Sequence, residues 1–221
     1  MQKLTPHPDD TVAVRGRGRP RAFDREVALA KATQIFWEKG YEATSISDLT
    51  RAMGIGSPSL YAAFGSKEAL FTEALEHYCE SNAALVWDRF FSADTAREAV
   101  QSFLADSAAA LTGAVADIPR GCMVTLSSVG SEGHVGLGDL VRRTRAATLD
   151  RLTARLDQAV KDGELPAATD LNALARFVQT VQSGMSILAR DGARHAELSA
   201  VAQLAMLGWD ARLSHDCVRE E

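Results

Sequence analysis

Arg15, Arg17, Arg19 and Arg21 alternate with Gly16, Gly18 and Pro20, which strings four guanidinium groups on a backbone with too few side chains to fold alone. Such a string suits a polyanion, and its place directly before a helical module makes it a candidate nucleic-acid arm; a solvated tail is the bland alternative. Further on, Thr44, Ser45, Ser57, Ser59, Tyr61 and Lys67 crowd into short segments punctuated by glycine. Hydroxyls and one ammonium in that setting suit phosphate oxygens and groove edges rather than bond-making. Ser45 and Ser66 also read as simple helix caps, and Tyr61 as simple packing.

Other chemistries find little support. His7, His77, His134, His195 and His215 are scattered without metal-ligand spacing, and neither a glycine-rich phosphate loop nor a nucleophile elbow is present. Cys79, Cys122 and Cys217 lie far apart and are odd in number, so neither a zinc knuckle nor a disulfide framework is expected; Cys122 is the one candidate redox thiol. No metal, cofactor or enzymatic activity is therefore expected.

The elements that must position the hydroxyls are helices. With 221 residues, 46% apolar and 24% charged, the chain has the composition of an ordinary soluble protein with a sizeable core. No apolar run reaches the roughly 20 residues that span a bilayer, and Met1–Arg21 has no apolar signal stretch, so a cytoplasmic protein is expected. Apolar residues recur at three and four after Phe23, which predicts an all-α fold. A first helix from Asp24 stops at Gly40, with Tyr41 folding back. Ser45 and Asp48 form a capping box that opens a second helix, ended by Gly54. Ser57 as cap and Pro58 at the first position open a third, ended by Gly65, and Ser66 caps a fourth that is expected to run through Phe90. Two short helices joined by a glycine turn make a helix-turn-helix, whose second member enters the major groove, about 12 Å wide. Small residues at Ser57, Pro58, Ser59 and Ala62 allow close approach to base edges but offer few base-specific donors.

Phe23 to Leu75, with Phe36, Gly40, Tyr41, Thr44, Ile46, Leu49, Gly54, Ile55, Leu60, Tyr61, Phe64, Ser66, Lys67, Glu68, Ala69 and Leu70 in order, closely resembles the DNA-binding domain of TetR-family bacterial repressors. The resemblance implies that the helix over Ser57 to Phe64 reads an operator, that Lys67 meets backbone phosphate, and that an arm such as Arg15 to Arg21 enters the minor groove. The expected DNA-contacting set is Arg17, Arg19, Arg21, Thr44, Ser45, Ser57, Pro58, Ser59, Tyr61 and Lys67. Ala62 and Ala63 depart from the family pattern, which commonly has larger polar or aromatic residues there, as does Pro58 where glycine is common; operator sequence is thereby left open.

Charge divides the chain: residues 1–67 carry ten Lys and Arg against seven Asp and Glu, residues 68–221 fourteen against twenty-two. The acidic part therefore has a different role. The expected organisation is an arm over 1–21, a helix-turn-helix domain over 22–67 and a larger helical bundle for effector binding and dimerisation over 68–221. Arg120 to Ser128 reads as a short apolar helix, Gly130, Gly133, Gly136 and Gly138 loosen the chain, and a long helix follows to Gly163. Leu174, Val178, Val181, Gly184, Met185 and Leu188, then Val201, Ala205, Gly208 and Trp209, form stripes for a partner helix pair. Two copies would present two reading heads to a two-fold operator. Trp87, Phe91, Phe103, Met123, Leu126 and Phe177, with Ser127 and Gln182 as polar groups, are candidate ligand contacts, although such residues are more often core.

The expected function is a homodimeric transcriptional repressor released from a palindromic operator by an unidentified small molecule, with double-stranded DNA and its own copy as partners and no membrane. A helical-bundle enzyme, or a ligand-binding or interaction module without DNA binding, is the alternative.

Overall fold

Residues 23–127 and 133–217 are described by the computed structural model and form ten helices without strands. The expected all-α class with an N-terminal helix-turn-helix and a larger helical body is what the chain adopts. The arm residues Arg17, Arg19 and Arg21 lie outside the described residues.

Helix α1 (Arg25–Ala43) opens on Asp24, whose carboxylate accepts from the Glu26 and Val27 amides. Its regular turns end at Gly40, where φ is 77°, and Tyr41 then folds back into the core. Helix α2 (Ile46–Met53) carries the Ser45/Asp48 capping box and closes on Gly54 in the left-handed conformation. Helix α3 (Ser57–Phe64) starts one residue earlier than expected: Gly56 is the cap, Ser57 the first helical residue and Pro58 the second. The reason is that the Gly56 carbonyl already accepts the Leu60 amide, which leaves the Ser57 hydroxyl out of the cap.

Helix α4 (Lys67–Asn82), capped by Ser66, does not continue to Phe90. Asn82 turns its side-chain amide onto the Tyr78 carbonyl, the chain bends at Ala83, and α5 (Ala84–Ser92) begins. Helix α6 (Ala96–Leu111) opens on a Thr95/Glu98 capping box. The short helix expected over 120–128 is a single turn, α7 (Met123–Leu126), and α8 (Val135–Lys161) absorbs Gly136 and Gly138, so only Gly133 of that group's described members stays in a loop. Helices α9 (Leu171–Arg190) and α10 (His195–Cys217) complete the body.

Two cores result. One gathers Phe36, Tyr41, Leu49, Leu60, Phe64, Phe71 and Leu75, so α4 closes the head beyond residue 67, and Met123, Val124, Leu137 and Val141 join it from the body side. Edge-on ring pairs Phe36–Phe71 and Tyr41–Phe71, both at 5.2 Å, fix its centre, each adding about 0.5–1.5 kcal/mol beyond area burial. The other core is built by α5, α6, α8, α9 and α10 around Phe90, Phe103, Leu104, Leu152, Val178 and Trp209. No helix among the described residues is long and apolar enough to cross a membrane.

Candidate nucleic-acid interface and internal cavity

Leu60 and Phe64 anchor α3 in the head core, and the helical period then turns Ser57, Pro58, Ser59, Tyr61 and Ala62 outward. Polar groups around α3 hold it rather than extend it. The Arg25 guanidinium donates to Glu73 at 2.7 and 2.9 Å and to the Ala63 carbonyl at 3.3 Å, and lies 4.4 Å over the Phe64 ring. One side chain thus ties the C-terminal turn of α3 to α1 and α4. Sequence reading missed Arg25, because its partners stand 38 and 48 residues away and no local spacing signals them. Lys39 reaches Asp48 at 3.0 Å and fixes α2 against α1. That hydrogen bond, joined by those from the Ser45 amide and hydroxyl, holds the Asp48 carboxyl well below the usual aspartate range.

The expected DNA-facing set divides here. Ser57, Pro58, Ser59 and Tyr61 share one open surface, and Ser45 is exposed at the start of α2 with its hydroxyl engaged by Asp48. Thr44 is a correction: it is 1% exposed and its hydroxyl donates to the Gly40 carbonyl at 2.6 Å, satisfying the chain where the glycine breaks α1. It closes the head instead of offering a hydroxyl to a ligand. Lys67 is half-buried, with its ammonium 4.2 Å over the Tyr41 ring. Burial lowers its pKa, while Glu42 and Glu68 act in the opposite sense. Burial, then the same two carboxylates, pushes the Tyr41 phenol up to about 12. His134, before α8, stands 3.3 Å from Glu68 and 4.9 Å from the Tyr41 ring, so the body touches the head beside Lys67.

Behind the head lies a cavity of about 860 Å³ bounded by α4, α5, α6, α8 and α9, with Trp37 of α1 in its wall. Trp87, Phe103 and Gln182 line it as expected from their position. Five expected contacts sit elsewhere. Phe91 is 63% exposed and stacks outside Trp87, and Phe177 is exposed beside Gly208. Met123 belongs to the head core, Leu126 packs where a Gly121 Cβ would stand, and Ser127 is buried with its hydroxyl on the Met123 carbonyl. For Met123, Leu126 and Ser127 the reason is that α7 is one turn, too short to present one face consistently to the cavity; Phe91 and Phe177 lie on the outward faces of α5 and α9. Tyr78, Cys79, Ser107 and Cys122 line it unforeseen. Burial pushes the Cys79 thiol up to about 11, which keeps it protonated at neutral pH, and burial also raises the Tyr78 phenol. Among the described residues no cluster of His, Cys, Asp and Glu could hold a metal.

Head and body are joined at this cavity. The Trp37 indole donates to the Gly121 carbonyl at 2.8 Å, and Gly121 has no room for a Cβ, which would meet Leu126 at 2.6 Å and the Ser186 carbonyl at 2.8 Å. At the end of α9, Arg190 donates to the carbonyls of Trp37, Glu38 and Arg120. Arg145 of α8 likewise binds the carbonyls of Val124, Thr125 and Ser127.

The partner-helix stripes are also corrected. Leu174, Val178, Met185, Ala205 and Trp209 are buried in the chain's own core. Val181 and Val201 are half-buried against it, whereas Leu188 and Gly208 are exposed and Gly184 half-exposed. The open apolar face carries Phe177, Ile187, Leu188, Leu204 and Leu207. Both sides of α9 are apolar, so periodicity identified its seams without saying which one the chain fills itself.

Comparison with known proteins places these features. The family model for bacterial regulatory proteins of the tetR family matches residues 28–74. The transcriptional repressor ComR of Escherichia coli (strain K12) is 37% identical over 205 residues, covering 91% of this chain and 96% of that protein. The repressor BdcR of the same organism is 33% identical over 193 residues, covering 85% and 90%. A solved structure of the TetR family regulator CifR, a cysteine mutant complexed with 26-base-pair double-strand operator DNA, superposes with a TM-score of 0.80 at 40% identity, covering 86% of this chain and 98% of that one.

Proposed function

The chain belongs to the TetR family of bacterial regulatory proteins and is a DNA-binding transcriptional regulator; from that premise we propose that it is a cytoplasmic homodimeric repressor whose two heads hold a palindromic operator until a small molecule enters the body. The observation that carries this reading is the bare surface of α3. Ser57, Pro58, Ser59 and Tyr61 face outward together while Arg25, Leu60 and Phe64 fix the helix from behind. Such a surface fits into a major groove without displacing large side chains.

In this reading the head spans 22–67 with α4 as its support, and the body over 68–221 pairs with its copy. The Tyr61 hydroxyl and Lys67 neutralise or bind phosphate, Ser45 adds a hydroxyl at the start of α2, and Arg17, Arg19 and Arg21 add sequence-independent affinity from the arm. Two copies meet through the face of Leu188, Leu204, Leu207 and Gly208, because burying exposed apolar side chains drives association. An effector against Trp37 and the joint at Gly121 and Arg190 changes the angle of each head, and affinity falls by its differential affinity for the two head spacings. No catalytic role is proposed.

Selecting bound fragments from a random duplex pool tests the reading. A two-fold symmetric motif with half-sites a helical turn or more apart is the expected result. Enrichment of nothing, or of a single unrepeated half-site by a monomer, would overturn it.

A further inference from the structure

The cavity has an electrostatic character opposite to that of the body around it. Arg142, Arg143, Arg145, Arg151 and Arg176 line it against one carboxylate, Glu76, although acids outnumber bases over residues 68–221. Three of these arginines are already engaged: Arg142 with Asp139, Arg145 with the carbonyls after α7, and Arg151 lying 5.0 Å over Trp87. Arg143 and Arg176 have no ion pair, hydrogen bond or ring contact among the described residues. Arg143 also borders the smaller pocket beside His134, whereas Arg176 borders the large cavity only.

A second, independent feature lies on α6. Ser107 is fully buried on the cavity wall and its hydroxyl has no hydrogen-bond partner. The buried hydroxyls of Thr33 and Thr112 return to the carbonyl one turn back. Ser107 is likewise buried but has no such bond, and a buried hydroxyl left unsatisfied is costly unless something else bonds it. The aromatic part of the wall is Trp37, Tyr78, Trp87 and Phe103, and Asn82, Thr125, Thr180, Gln182 and Ser183 add neutral polar groups to it.

We propose that the cavity takes an apolar organic acid: an aryl or branched aliphatic carboxylate whose anionic group is met by Arg176 and whose body, bearing a hydroxyl or keto oxygen, hydrogen-bonds Ser107. This deepens the effector reading above and rests on it for its regulatory meaning, but not for binding itself. Cations and large neutral apolar molecules are disfavoured there by the arginines and by the unsatisfied hydroxyl respectively.

Calorimetry on the ligand-free full chain decides it, using aryl and branched aliphatic acids of about six to twelve carbons, a size the cavity encloses, each paired with its primary amide and with its analogue lacking the oxygen. Acids should bind about tenfold tighter than their amides, in keeping with a charge-assisted hydrogen bond. Arg176→Gln should abolish that preference while leaving amide affinity unchanged. Ser107→Ala should remove the advantage of the oxygen substituent, about fivefold, and raise the melting temperature of the ligand-free chain, since it deletes an unsatisfied group. Equal binding of acids and amides, tighter binding of amines, or no binding by any acid would each overturn the proposal. Retention on duplex DNA is measured on the same ligand-free samples: loss of DNA binding with acid binding intact refutes the regulator reading alone, and the reverse refutes this one alone.

Discussion

The head and the cavity wall treat their polar groups in opposite ways. Around α3, Arg25, Lys39, Ser45, Asp48 and Ser66 are all bonded to other parts of the head, and the surface they frame is small and lightly functionalised. Around the cavity, the exposed Arg176 and the buried Ser107 hydroxyl make no bond to the described residues. The contrast teaches where each kind of recognition draws its energy. A reading surface gains by being fixed before it meets a duplex, because loosely held side chains lose entropy on binding. A ligand cavity gains by leaving donors unengaged by the chain, because a ligand can then bond them without first breaking an internal contact.

The strongest way to break this contrast is to separate the two copies of the proposed dimer. Leu204→Glu places a charge on the open apolar face, where Leu204 is 66% exposed in the single chain, and should lower operator affinity by about a hundredfold or more through loss of the linked second head. Sedimentation should then give a folded monomer; a persisting dimer with unchanged affinity would move the interface elsewhere. Removing the clamp on α3 comes next. Arg25→Ala should cost about 1 kcal/mol, since the ion pair is half-exposed, and lower the melting temperature by about 2–4 °C. It should weaken all duplex binding about tenfold if rigidity of α3 matters; unchanged affinity in a destabilised protein would mean that pre-positioning contributes nothing.

A smaller effect sharpens the assignment of Lys67. Lys67→Ala should weaken binding to every sequence alike and reduce the slope of log affinity against log salt by about one. An unaltered slope would leave Lys67 as a cap on Tyr41 alone. The smallest effect concerns acid. Asp48 has its carboxyl held below the ordinary 3.8 by Lys39 and Ser45, so the stability it contributes is present above that value and lost as pH falls through its lowered folded-state pKa. Amide exchange should therefore show α2 loosening in acid, and Asp48→Asn should flatten that dependence; identical acid profiles for both proteins would remove Asp48 from the account.

How much of this was legible in the sequence differs between the same two regions. The turns at Gly40, Gly54 and Gly65, the Ser45/Asp48 box and the outward set on α3 are set by neighbours within a few residues, so local chemistry sufficed. Thr44 misled because its hydroxyl could bond either outward or to a carbonyl four residues back, and only the break at Gly40 decided that. The cavity was hardly legible. Its wall takes residues from α1, α4, α5, α6, α8 and α9, and an aromatic at helical spacing does not reveal whether it lines a void or fills a core. Phe91 and Phe177, both expected inside, face out for that reason.

By itself, the sequence determined the helical class, the placing of the helix-turn-helix and its family, because glycine, cap residues and the 3.6-residue period act through contacts close along the chain. Tertiary structure alone decided which side of α9 the chain keeps for its own core, which residue clamps α3, and which donors remain unspent, because each depends on what another helix, tens of residues away, brings within about 3 Å, the reach of a hydrogen bond.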